Sequence, residues 1–342
     1  MKRTLTHFLF AVALSLWLLS CGGGENVSPT ATPAPVDEVS VNDTAVADTT
    51  SLNESSTATT APADTPEPPP TAEIETEPEA EATVIPTETA VPPTPTPLPP
   101  LPSDPQRIEF ETEDGASRVG TYYPAAINPA PVVVLMHWAG GDQTDWQYVG
   151  MAAWLQNRGL SIPAAAGAKA FDTPYPFPPL LEGESYAVFT FDFRGFGESG
   201  GEFSQEGIIL DAHAAYATAS ALPGVDPQRM VGIGASIGSD AVVDGCGELC
   251  QAALSLSPGS YLGVDYAEAV TLVDEEGKPV WCVAAEGDET AVTTCQSANG
   301  EQYQITIYPN GGHAMELFRV ENNLQPPIEA ILLDFLHEVL RD

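Results

Sequence analysis

A hydroxyl, a carboxylate and an imidazole occur in the second half of this chain in an order that could make an alcohol nucleophilic. Ser236 lies in Gly232-Ile233-Gly234-Ala235-Ser236-Ile237-Gly238, one hydroxyl between glycines directly after an apolar run. The run predicts a buried strand over 230–235 and the following residues a helix over 237–244, so the serine falls on the turn between them. Such a turn forces unusual backbone angles on its central residue and crowds the positions two away on either side, which Gly234 and Gly238 relieve. The hydroxyl then projects over the carboxyl end of a sheet, at a helix N-terminus whose free amides stabilise developing negative charge.

A serine alone is a poor nucleophile and needs a base, with a third group to orient that base. Of the five histidines, His7 belongs to the N-terminal apolar segment, His137 ends a predicted central strand, and His213 and His337 fall on predicted helices. His313 remains, in the glycine-rich stretch Asn310-Gly311-Gly312-His313 that follows the last predicted strand. The acid is expected between them, where Glu286-Gly287-Asp288-Glu289 offers three carboxylates. Asp288, beyond the glycine turn, is the first choice and Glu286 the reserve. Its part would be to accept the imidazole Nδ1 proton and stabilise the imidazolium.

These groups need a sheet to converge on. Residues 107–112 and 118–123 predict an entry hairpin, and 132–137, 186–192, 230–235, 252–257, 278–285 and 302–308 predict strands. Helices are expected over 144–157, 204–222, 237–244, after the 278–285 strand to about 299, and 327–340. In the last of these Ile328, Ile331, Leu332, Phe335, Leu336 and Val339 form an amphipathic stripe. Alternating strands and helices imply a mostly parallel sheet covered on both faces. The excursion 159–184, with Trp154, Phe171, Tyr175 and Phe177 nearby, is expected to form an aromatic wall over the site, and the 257–278 segment is too short for a large cap.

Only part of the 342 residues can build that core. Between Gly22 and Asp104 there is no aromatic residue, no Lys or Arg, 15 acidic residues and 17 of the 33 prolines. Such a segment buries too little apolar surface to offset the entropy of ordering it. Residues 22–104 therefore read as a Pro/Thr/Glu-rich linker and 105–342 as one α/β domain. Residues 1–21 read as a secretory signal, with two charges before a short apolar run. Leu18-Leu19-Ser20-Cys21-Gly22 resembles the lipobox of bacterial lipoproteins, which implies cleavage at Cys21, its acylation, and an extracytoplasmic, membrane-anchored domain.

The folded part carries 33 acidic and 9 basic residues, a balance of −24 that repels phosphate backbones, so nucleic-acid binding is not expected. Four cysteines remain after Cys21, an even number that suggests two disulfides in an exported domain. Cys246 with Cys250 and Cys282 with Cys295 is the favoured pairing because each closes a short loop. The competing zinc site is disfavoured because three and twelve intervening residues do not match tight CxxC pairs.

Taken together, His137-Trp138-Ala139-Gly140-Gly141, the segment Asp192-Phe193-Arg194-Gly195-Phe196-Gly197-Glu198-Ser199-Gly200-Gly201, the serine elbow, Gly287-Asp288 and Gly311-Gly312-His313 resemble the α/β-hydrolase superfamily, near its dienelactone-hydrolase-like and serine-esterase branch. The resemblance implies that backbone amides of Ala139 (or Trp138) and Ile237 form the oxyanion hole. Trp138 stands where glycine is usual and would place an indole near the acyl pocket. It also implies that Arg194, Glu198 and His137 serve structure. The expected activity is hydrolysis of a small-molecule carboxylic ester by a monomeric enzyme with no metal or organic cofactor. Peptide hydrolysis by the same triad, or ligand binding without catalysis, are the alternatives.

Overall fold

The computed structural model describes residues 98–163 and 173–341. The expected signal, Cys21, nearly all of the linker and Phe171 lie outside the described residues. Eight strands form one sheet: β1 (Gln106–Glu111), β2 (Ser117–Tyr123), β3 (Ala130–Met136), β4 (Ala187–Asp192), β5 (Val225–Ala235), β6 (Ala252–Leu256), β7 (Val280–Ala285) and β8 (Tyr303–Tyr308). Their order is β1-β2-β4-β3-β5-β6-β7-β8. β2 runs antiparallel to both neighbours, and every pair from β4 to β8 is parallel.

The parallel strands read as continuous apolar runs because helices cover both faces. All seven residues of β3 are buried, with Val132, Val134 and Met136 in one core cluster and Val133 and Leu135 in the other. This alternation follows from the two-residue period of a strand, and each fully buried Val or Leu contributes about 1.5–3 kcal/mol. On the first face lie α3 (Gln205–Ser220), α4 (Ile237–Asp244), α5 (Tyr266–Glu275) and α6 (Glu289–Ser297). The second face packs under α1 (Thr144–Tyr148), α2 (Met151–Gln156) and α7 (Ile328–Leu340).

Two elements differ from the sequence expectation. The single helix over 144–157 is broken into α1 and α2 at Gly150, whose φ of +93° is a left-handed angle that glycine adopts without steric cost. The freed Val149 carbonyl accepts the Tyr175 N–H at 3.0 Å and so ties down the excursion. The 257–278 segment contains α5, opened by Asp265, whose side chain accepts the Glu268 N–H. Its stripe of Tyr266, Ala269, Val270 and Val273 buries against the sheet. Among the described residues no helix is long and apolar enough to cross a membrane.

Candidate active site

β5 delivers the serine. Ser236 follows its last residue with φ +54° and ψ −118°, a strained conformation for a residue bearing a Cβ. Its N–H donates to Leu256 O at 2.9 Å, fixing the turn to the end of β6. The flanking glycines are required by contact: a Cβ on Gly234 would lie 1.9 Å from Gly238 O, and one on Gly238 would lie 2.3 Å from Met136 O. The turn presents the hydroxyl to His313 rather than capping α4 with it.

β7 and β8 deliver the other two groups. His313 Nε2 lies 2.8 Å from Ser236 Oγ, and its Nδ1 lies 2.7 Å from Asp288 Oδ2. With Nδ1–H donating to the carboxylate, Nε2 is left as the acceptor for the serine proton. Asp288 also caps α6, its Oδ1 accepting the Ala291 N–H at 3.4 Å. Glu286, the reserve acid, is exposed and contributes nothing to this chain of bonds. The histidine loop is anchored by Ser257 Oγ, which accepts the Ala314 N–H at 2.9 Å. Ala314, Ser257 and Ser260 all have positive φ, so strained backbone gathers around the imidazole.

The expected oxyanion groups sit on facing turns. Ile237 is the first residue of α4, and Ala139 lies in the loop after β3. Neither N–H hydrogen-bonds another described residue. Trp138 folds over its own loop: its Nε1 donates to Asp145 Oδ2 at 2.7 Å, and a Cβ on Gly140 would meet the indole at 2.8 Å. The indole ends 6.5 Å from the His313 ring, centroid to centroid.

Tyr261 also stands against the imidazole, edge-on at 6.2 Å. Burial, with the charges of Asp288 and Asp240, pushes its phenol up to about 12, so it is neutral across the physiological range. Sequence reasoning missed this residue. The expected aromatic wall is instead packing: Trp154 stacks on Phe177 at 4.4 Å, and Tyr175 and Phe177 contact Phe318 behind the histidine loop.

The remaining singled-out residues hold the scaffold. Arg194 pairs with Asp211 at 2.8 Å and Asp114 at 2.8 Å, and Glu198 pairs with Arg107 at 3.1 Å. His137 is fully buried, its Nδ1–H donating to Trp138 O at 2.8 Å and its Nε2 accepting the Phe193 N–H at 3.0 Å. Burial lowers its pKa and keeps it neutral, so it joins the ends of β3 and β4 as a fixed strut. His213 is exposed on α3, and His337 bonds Glu184. The cysteines form Cys246–Cys250 and Cys282–Cys295 disulfides, and the second encloses Asp288 in its loop.

No family model matches the sequence. Uncharacterized protein YfhR of Escherichia coli (strain K12) is 29 % identical over 150 residues, covering 42 % of this chain and 43 % of the relative. Uncharacterized protein Rv2307c of Mycobacterium tuberculosis (strain ATCC 25618 / H37Rv) is 25 % identical over 228 residues, covering 60 % of this chain and 71 % of the relative. The chain thus spans about two-fifths of the length of the YfhR relatives it matches. Among solved structures, the Pyrococcus furiosus esterase Pf2001 superposes with a TM-score of 0.50 at 16 % identity, over 69 % of this chain and 91 % of that one. The alpha/beta hydrolase GrgF from Penicillium sp. sh18 gives 0.50 at 15 % identity, over 70 % and 100 %. These likenesses are likenesses of fold, and together with the strand order and the serine turn after β5 they show that this chain has the α/β-hydrolase fold.

Proposed function

We propose that this protein is a serine hydrolase that cleaves carboxylic esters through an acyl-enzyme. The observation that supports this most directly is the continuous path from Ser236 Oγ through the His313 ring to Asp288, with gaps of 2.8 and 2.7 Å. His313 Nε2 takes the serine proton as Oγ bonds the ester carbonyl carbon, and Asp288 stabilises the imidazolium. The oxygen of the tetrahedral intermediate lies between the amides of Ile237 and Ala139 or Trp138. The intermediate collapses, the alkoxy group leaves with the proton from His313, and the acyl group stays on Ser236. Water then gives a proton to the same imidazole and attacks the acyl carbon, releasing the acid and restoring the serine.

The domain that does this occupies 105–342 and acts as a monomer without metal or organic cofactor. Residues 1–21 direct export, Cys21 is acylated, and 22–104 tether the domain to the outer face of a bacterial membrane. At about 5–6 Å times the square root of its length, such a linker reaches several nanometres.

Replacing Ser236 by Ala lowers turnover of short p-nitrophenyl esters by at least about 10⁴-fold while leaving the circular dichroism spectrum unchanged. A fluorophosphonate probe becomes covalently attached at Ser236 in the unaltered protein. Folded protein that neither turns over esters nor captures the probe refutes the enzyme reading and supports a binding role. An amide substrate panel separates esterase from peptidase.

A further inference from the structure

The loop after β6 is bound to the nucleophile's own helix by a carboxylate that the mechanism above leaves unused. Asp240 lies one turn beyond Ser236 on α4 and is 2 % exposed. Its Oδ1 accepts the Gly259 N–H at 3.1 Å and its Oδ2 the Tyr261 N–H at 2.5 Å. The Ser260 amide contributes to the same cradle. No cation pairs with Asp240 among the described residues. A buried charge held only by amides is costly, and an apolar side chain could fill the space. Among short side chains, however, only a carboxylate accepts several N–H donors while donating none.

What those bonds hold is a strained loop that carries one wall of the site. Ser257 and Ser260 have φ of +59° and +53°, angles that non-glycine residues adopt only when their surroundings impose them. The Tyr261 ring folds back so closely over Gly259 that a Cβ there would lie 2.2 Å from it. In that position the ring stands edge-on to the His313 imidazole.

We propose that Asp240 is a positioning residue: by accepting the Gly259 and Tyr261 amides it sets the Tyr261 ring against His313 and fixes the wall of the acyl-enzyme site. The inference rests on the triad reading above. Burial raises the Asp240 carboxyl to about 6, so it protonates in the range where an imidazole also does. A protonated carboxyl loses acceptor capacity, and the loop relaxes. The other titratable groups near it are Asp244, one turn further along α4, and the phenols of Tyr261 and Tyr266. Hydrolysis therefore loses the contribution of this cradle on the acid side, as Asp240 protonates.

The test compares full-length protein with Asp240→Asn, Gly259→Ala, Tyr261→Ala and the Asp240→Asn/Tyr261→Ala pair, using p-nitrophenyl acetate and butyrate between pH 5 and 8. D240N is expected to lower kcat/KM about tenfold at pH 7.5, and the gap from the wild type is expected to shrink towards pH 5, where the native carboxyl is itself protonated. Added to Tyr261→Ala, the same change costs less than about twofold, because its target is already gone. Gly259→Ala, which evicts the ring but keeps the carboxylate, reproduces the loss at pH 7.5 and carries the test if D240N does not fold. A wild-type to D240N ratio that stays constant from pH 7.5 to 5, or D240N and Gly259→Ala both within twofold of the wild type, overturns the proposal. Wild-type protein that shows no turnover and no fluorophosphonate capture refutes the triad reading instead, and this inference falls with it.

Discussion

Two clusters of buried carboxylates lie on the same face of the sheet and are neutralised in opposite ways. Asp211, fully buried on α3, faces Arg118 at 3.4 Å and Arg194 at 2.8 Å, both nearly buried themselves. Asp240 and Asp244, on α4, pair with no cation among the described residues. Asp240 is held by amides, and Asp244 Oδ2 makes no hydrogen bond to the protein. The arginine cluster ties the Arg194 turn to α3 and β2 through paired opposite charges. The α4 cluster is the costly one, and it sits on the helix that follows Ser236. The contrast locates rigid scaffold and adjustable site on different carboxylates, though Asp211 and Asp240 are both buried.

The largest effect that sharpens this contrast is expected from Asp211→Asn. It leaves two buried guanidinium groups short of a counter-charge and should cost about 3–5 kcal/mol in urea unfolding. A loss under about 1 kcal/mol would mean that the cluster is not paired as described. The disulfides come next. Opening Cys282–Cys295 by paired Ser substitutions should cost about 3 kcal/mol and opening Cys246–Cys250 about 2, from the length of loop each closes. Only the first should also reduce ester turnover, since Asp288 lies inside its loop.

The pH dependence of stability tests the α4 cluster by itself. Burial raises Asp240 to about 6 and Asp244 to about 7, from an ordinary value of 3.8. Groups whose folded values are raised bind protons more readily when folded. Their contribution is therefore fully present below the unfolded value and is lost as pH rises through 6 and 7. Stability should increase by on the order of 2 kcal/mol between pH 8 and pH 5.5, and Asp240→Asn/Asp244→Asn should flatten that rise. Activity is expected to move in the opposite direction over the same range. The smallest effect is expected at Glu198→Gln, which removes an exposed pair with Arg107 and should leave the melting temperature unchanged.

Much of the site was legible because its signals are local. A glycine-flanked serine after an apolar run, a carboxylate after a strand and a histidine after Gly311-Gly312 each announce a turn within a few residues. The structure places all three in one hydrogen-bonded path. The break at Gly150 was less legible, because an isolated glycine in a helical pattern is often tolerated and here a tertiary bond to Val149 O decides the outcome. Helix α5 left a readable trace in its Asp265 cap and three-to-four-residue apolar spacing. Tyr261 and Asp240 left little. Neither belongs to a motif, and their meeting depends on how the loop after β6 folds back over α4. One hint was available: an acidic residue on the inward side of an otherwise apolar helix needs partners from elsewhere.

Asp288 has two obligations, one oxygen to the imidazole and one to the first turn of α6. A group moored to a helix in this way has little freedom to travel with its partner during a turnover. In the proposed mechanism the proton would then pass from serine to departing alcohol by small tilts of the ring of His313 about a stationary pivot. Residues on the glycine-rich side of that ring, rather than the acid, would then govern how far it swings.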